Sequence, residues 1–175
     1  MEDKYPQRKN IRNPRFNYSY PGAFFITICT KDKKCILSSV IKNDDELYPK
    51  VVLTNIGAIA DKYINQLKDF YDNIFIKQYV IMPNHIHLII QINRTVEMND
   101  IVEPQQTPAK LSKASLLIST FKRFCNKEYG ENIWQSRSFD HVIRNEFDYA
   151  ECVKYIKNNP RKWYYTYNPD KMIRK

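Results

Sequence analysis

The sequence predicts an α+β fold: a ferredoxin-like βαββαβ antiparallel sheet with helices on one face, followed by one further helix near the C-terminus. Three observations carry this. Short β-branched and aromatic runs alternate with stretches of helical periodicity in the order β-α-β-β-α-β-α. The two middle strands are separated only by Pro83-Asn84, a turn signal that makes them a hairpin. The chain has 175 residues and is 43% hydrophobic, enough for one domain with its own core and too little for two.

Each element has its own signal. Phe24 to Cys29, FFITIC, is a β-branched and aromatic run ended by the charges of Lys31–Lys34. From Leu53 to Phe70, Ile56, Ile59, Ala60, Tyr63, Ile64 and Leu67 recur at helical spacing, with Thr54 placed to cap the start. Ile74 to Met82 and His85 to Ile92 form the predicted hairpin. Residues 93–110 lose periodicity and hold two prolines, which predicts a surface connection. Leu111 to Tyr129 sets Leu116, Leu117, Thr120, Phe121 and Phe124 on one helical face, with Lys113, Lys122, Arg123 and Lys127 elsewhere. Ser138 to Arg144 is short and alternating, a last strand. Phe147 to about Asn158 is the last helix, which Pro160 is expected to stop.

Composition narrows the function. Lys and Arg number 28 against 19 Asp and Glu, a net +9 that favours a polyanionic partner, nucleic acid first. Gly22, Gly57 and Gly130 are the only glycines, so the Gly-rich loops that cradle nucleotide phosphates are excluded, and no nucleotide cofactor is expected. Cys29, Cys35, Cys125 and Cys152 form neither a C-x-x-C pair nor a disulfide framework, which points to a reducing cytoplasm. No apolar run nears the ~18 residues of a membrane span, so no membrane partner is expected. The first twenty residues interleave Lys4, Arg8, Lys9, Arg12 and Arg15 with Tyr5, Phe16, Tyr18 and Tyr20. That mixture suits a nucleic-acid strand, and equally a solvated arm with rings tucked onto the core.

The chemistry-bearing residues fall on two elements. His85 and His87 sit two apart on a strand, so their imidazoles project from the same face, as two adjacent metal ligands or as hydrogen-bonded surface histidines. Tyr155 and Asn159 lie four apart on the last helix and share a face; one is a possible nucleophile, the other a neutral oxygen ligand. A phenol with a pKa near ~10 attacks poorly at neutral pH unless a metal or cation lowers the cost of the phenolate.

Taken together, Tyr79-Val-Ile-Met-Pro-Asn-His-Ile-His-Leu88, Trp134-Gln135, Asp140-His-Val-Ile-Arg-Asn145 and Tyr155-Ile-Lys-Asn-Asn-Pro160 resemble, in order and spacing, the REP-associated tyrosine transposases. These are single-tyrosine members of the HUH endonuclease superfamily, related to small insertion-sequence transposases. The resemblance runs from Phe24 to Trp163, and four motifs in register make it specific. It implies that Tyr155, on the C-terminal helix, is the nucleophile and that His85, His87 and Asn159 are the ligands of a divalent metal, Mg²⁺ or Mn²⁺. The implied activity is cleavage and rejoining of single-stranded DNA at hairpin-flanked sites through a 5′-phosphotyrosine, that is, DNA transposition. With the basic and aromatic composition of both ends, the chain divides into a basic aromatic arm (1–20), a catalytic domain (21–163) and a basic tail (164–175).

For the DNA surface the candidates are Arg8, Lys9, Arg12 and Arg15 of the arm, with Arg137 and Arg144 placed either to touch phosphates or to stay solvated. His141 is expected to make a structural hydrogen bond or a phosphate contact, and Trp134 either to stack on a base or, the favoured reading, to close the core. Monomer and homodimer both stay open. The rival from another class is a catalytically silent nucleic-acid-binding domain on the same fold, which would keep the charge and rings without needing the histidines, tyrosine and asparagine together.

Overall fold

The computed structural model describes residues 21–93 and 113–169. The elements are β1 (Gly22–Cys29), β2 (Ser38–Ile41), β3 (Lys50–Leu53), α1 (Asn55–Phe70), β4 (Ile74–Met82), β5 (His85–Ile92), α2 (Lys113–Tyr129), β6 (Phe139–Ile143) and α3 (Glu146–Tyr167). The main sheet has the order β4-β5-β1-β6 with every neighbouring pair antiparallel. The split βαβ order expected from the sequence is therefore the order found. The arm and the connection from residue 94 to 112 lie outside the described residues, as does the tail from residue 170.

Strand alternation sorts the sheet into two faces. Phe24, Ile26 and Ile28 of β1 and Ile86, Leu88, Ile90 and Ile92 of β5 join one buried cluster with Ala60, Ile64 and Leu67 of α1 and Leu117, Ile118 and Phe121 of α2. Burying these side chains on one side of the sheet is the main source of stability, at ~25 cal/mol per Å² of apolar surface. The opposite face carries a smaller cluster, Phe25, Ile89 and Ile156, with Val80, Ile143, Tyr149 and Val153 against it. That face belongs to α3. Trp134 is buried against Phe121 at 5.4 Å, so it closes the core as expected.

Three details correct the sequence reading. The β2–β3 hairpin was not expected, because each strand has only four residues and neither is buried along its length. Its role is to carry the chain to α1: Thr54 takes the N-cap position and accepts from Gly57 N–H, while its own N–H and hydroxyl reach the Leu37 carbonyl. The second correction is that α3 does not stop before Pro160. Proline removes one helical N–H and crowds the carbonyl of Ile156, at a cost of about 3 kcal/mol. Beyond it, however, Tyr164 is buried and Trp163 packs beside His85 at 5.9 Å, so the helix runs on to Tyr167. The third is that α1 and β6 are each two residues shorter than the periodic patterns suggested, while the first two residues expected of α2, 111 and 112, lie outside the described residues.

Candidate active site

β5 is central in the sheet, and its alternation turns His85, His87 and Ile89 away from the α1–α2 core and toward α3. The two imidazole centroids are 4.5 Å apart. Each ring is held through Nδ1: that of His85 lies 2.7 Å from Asn84 Oδ1, and that of His87 lies 2.9 Å from Thr27 Oγ1. Asn84 Oδ1 can only accept, so His85 donates from Nδ1 and keeps its lone pair on Nε2. Phe25, on β1 beside Thr27, stacks on the His87 ring at 5.1 Å.

α3 supplies the rest. Asn145 caps its start by accepting from Asp148 N–H, and Asp148 accepts from Arg144 N–H in return. His141 Nε2 lies 2.9 Å from both Asp148 carboxylate oxygens, tying β6 to the first turn of α3. That is the structural hydrogen bond expected for His141. With the helix so fixed, Tyr155 stands with its ring 5.1 Å from His87 and 5.8 Å from Phe25, and Asn159, 7% exposed, faces His85 one turn on. Tyr155 itself is 45% exposed, open to a large partner. Two residues of β5 and two of α3 thus converge on one side of the sheet.

Burial sets the protonation states. Desolvation holds His85 below its ordinary value, opposed by a hydrogen bond with Asn159 and assisted by the nearby charge of Lys33. Desolvation, with a smaller contribution from the neighbouring His85, pushes His87 down to about 3. Both imidazoles are therefore neutral at physiological pH, the form that donates a lone pair. Asp148 is held below the usual carboxylate range, chiefly by its hydrogen bond with His141, and burial raises the Cys152 thiol. His141, Asp148 and Cys152 bring three donor atoms within 4.8 Å of one another at the mouth of the site. Asp148 is already engaged there as a cap and ion-pair partner.

Tyr155 and Asn159 border two openings. One is a cleft of about 780 Å³ reaching toward β6, with His87, His141 and Lys154 in its walls. The other, about 230 Å³, runs along α3 past His85. Sequence reasoning missed Phe25, Thr27, Asn84 and Lys162. The alternation of β1 put Phe25 and Thr27 on the same face, but only the β1–β5 register, which pairs Thr27 with His87, brings them to the site. Arg137 and Arg144 are exposed and line neither opening. Arg8, Lys9, Arg12 and Arg15 lie outside the described residues.

The sequence profile of the family described as "Transposase IS200 like" matches residues 23–159. The chain belongs to the IS200-like transposase family. Its function is accordingly that of a transposase, acting in DNA transposition. An uncharacterized protein of Haemophilus influenzae is 30% identical over 167 residues, 89% of either chain. A REP-associated tyrosine transposase of Escherichia coli K12 is 31% identical over 87 residues, half of this chain and 44% of that one. The solved structure of a REP-associated tyrosine transposase bound to a REP hairpin superimposes with a TM-score of 0.57 at 24% identity, covering 86% of this chain and 73% of the other. That likeness carries the α+β fold. Like the sequence, the described residues hold no helix long and apolar enough to cross a membrane.

Proposed function

We propose that this IS200-like transposase is a metal-dependent, single-stranded DNA endonuclease and strand-transferase that works through a phosphotyrosine on Tyr155, at sites flanked by DNA hairpins. The observation that carries the reading is the convergence of Tyr155 with His85, His87 and Asn159 on the one sheet face that α1 and α2 leave free. A fold relative bound to a REP hairpin supports the choice of substrate.

The donor set fits a divalent cation. Two neutral imidazoles are oriented through Nδ1, and a buried amide faces them from α3. Second contacts of this kind fix ring orientation and tautomer in metal sites. His85, His87 and Asn159 would hold Mg²⁺ or Mn²⁺. Bound there, the cation supplies charge stabilisation for the oxygens of the scissile phosphate.

The chain's own residues do the rest. Phe25 and Ile156 pack beneath the site and keep the Tyr155 ring near the imidazoles. Tyr155 Oη attacks phosphorus, the bond from phosphorus to the 3′ oxygen breaks, and that oxygen takes up a proton as the phenol loses one. The protein then carries a 5′-phosphoryl ester and the other piece of DNA a 3′-hydroxyl. Attack by a different 3′-hydroxyl reverses the step and joins strands. The ester bond is conserved throughout, so no nucleotide is consumed.

The test is to incubate the protein with hairpin oligonucleotides and Mn²⁺ and resolve covalent adducts on a denaturing gel. An adduct is expected from the wild type and none from Tyr155→Phe. Hairpin binding with no wild-type adduct would favour the silent DNA-binding domain instead. Cleavage undiminished in a His85→Ala/His87→Ala double variant would overturn the metal site.

A further inference from the structure

Past Asn159, the helix face that carries Tyr155 does not become inert surface. Lys162, Trp163 and Tyr167 follow at the spacing that continues the same stripe, seven, eight and twelve residues beyond the tyrosine. Together with His85, Tyr155 and Asn159 they line the 230 Å³ opening. The Trp163 ring lies between two others, 5.9 Å from His85 and 4.6 Å from Tyr167. Tyr167 is 63% exposed, so a ring tilted against Trp163 at the edge of the site is left largely in water. Lys162 borders this opening and the larger cleft alike, which sets a cation where a strand passing over Tyr155 must cross.

We infer that Trp163 and Tyr167 form a stacking subsite for one unpaired nucleobase next to the scissile phosphate, with Lys162 meeting the backbone phosphate beside it. The inference rests on the single-stranded DNA reading above and adds to it the position of a base. Three features favour a nucleobase over another occupant. The opening is continuous with the nucleophile, its lining includes the Trp163 and Tyr167 rings, and its charged side chain is a cation; base-on-aromatic stacking with a lysine on the backbone is how single strands are held without a duplex groove. Seating a base there would also fix the direction in which the strand crosses Tyr155, because the larger cleft lies on the other side of that residue. α3 extends beyond Pro160 far enough to build the subsite, which gives its extra two turns a use that stability alone does not.

The experiment uses the full chain and hairpin oligonucleotides whose cleaved bond has first been mapped from the adduct. Single abasic sites are then walked through the nucleotides on either side of that bond. Removal of one flanking base is expected to weaken wild-type binding about tenfold or more. The same abasic site should cost a Trp163→Ala/Tyr167→Ala variant no further affinity. Tryptophan emission gives a second readout on the unaltered protein. Trp134 is buried, so quenching by the intact oligonucleotide reports Trp163 and should be absent in Trp163→Phe and smaller with the abasic one. Wild-type affinity and emission indifferent to every flanking abasic site would overturn the subsite while leaving the transposase reading intact. Absence of both adduct and hairpin binding would overturn the reading and the subsite with it.

Discussion

Thr27 and Asn84 matter more than their size suggests, because each fixes an imidazole through Nδ1 and so decides where Nε2 points. Thr27→Val keeps the shape and removes the hydroxyl. We expect it to leave the fold intact and to weaken Mn²⁺ binding by about tenfold or more, measured by calorimetry, since loss of such a supporting contact costs a metal site 10–100-fold as an order of magnitude. His87 also makes stability depend on pH. It stays neutral in the folded protein down to about 3, whereas in the unfolded chain it takes a proton near the ordinary ~6.5. As pH falls below ~6.5 the unfolded state binds the proton first, so stability declines until pH reaches the folded value and then no further from this group. Between pH 7.5 and pH 5.0 urea melts of the metal-free protein should lose about 2 kcal/mol more for the wild type than for His87→Gln. His85, also held below its ordinary value, acts in the same direction in both proteins. The histidine pair and the Tyr155–Asn159 pair were legible in the sequence because strand and helix periods place each pair on one face. What links the pairs was not legible: it depends on the register of β1 against β5 and on which sheet face α3 covers, neither of which local spacing records.

Among the elements, α1 has the tightest constraint. A Cβ on Gly57 would stand 1.9 Å from the Leu37 carbonyl oxygen, which is backbone and already bonded to the Thr54 N–H and hydroxyl. Gly57→Ala must therefore push the first turn of α1 off the chain leading into β2. An overpacking cost of about 1–3 kcal/mol should appear in chemical denaturation, against the usual small gain when alanine replaces a helical glycine. Gly130, at φ 93° just past the end of α2, is needed for the other glycine reason, the left-handed backbone that closes a helix. Long elements with clear periods were readable in the sequence: the four sheet strands and α1 fall within one or two residues of expectation, and α2 ends at the expected Tyr129. The β2–β3 hairpin was not, since four-residue strands with mostly unburied side chains leave no alternation to detect. The end of α3 was misread for a different reason. Proline is a local signal, and here the packing of Tyr164 and Trp163 outweighs it.

At the scale of the whole molecule the net charge of +9 acquires a distribution. Lys154, Lys157, Arg161 and Lys162 are exposed along α3, and Lys33 is near enough to His85 to bear on its protonation. A strand lying across Tyr155 would thus meet cations on both sides of the site, and each phosphate it neutralises releases a counterion. Hairpin affinity should fall linearly on a log–log plot against salt, with a slope of about −0.7 to −0.9 per phosphate contacted. Residues 1–20 hold Arg8, Lys9, Arg12 and Arg15, and if the arm grips DNA its deletion removes those contacts from the total. The truncated protein should then bind more weakly at low salt, show a shallower slope, and converge with the full chain as salt rises and the electrostatic contribution fades. Adduct formation at saturating DNA should survive, because Tyr155 and the histidines all lie within residues 21–163. Superimposable salt plots for the two proteins would show that the arm contributes no phosphate contacts, and the DNA surface would then consist of the α3 cations and the site itself.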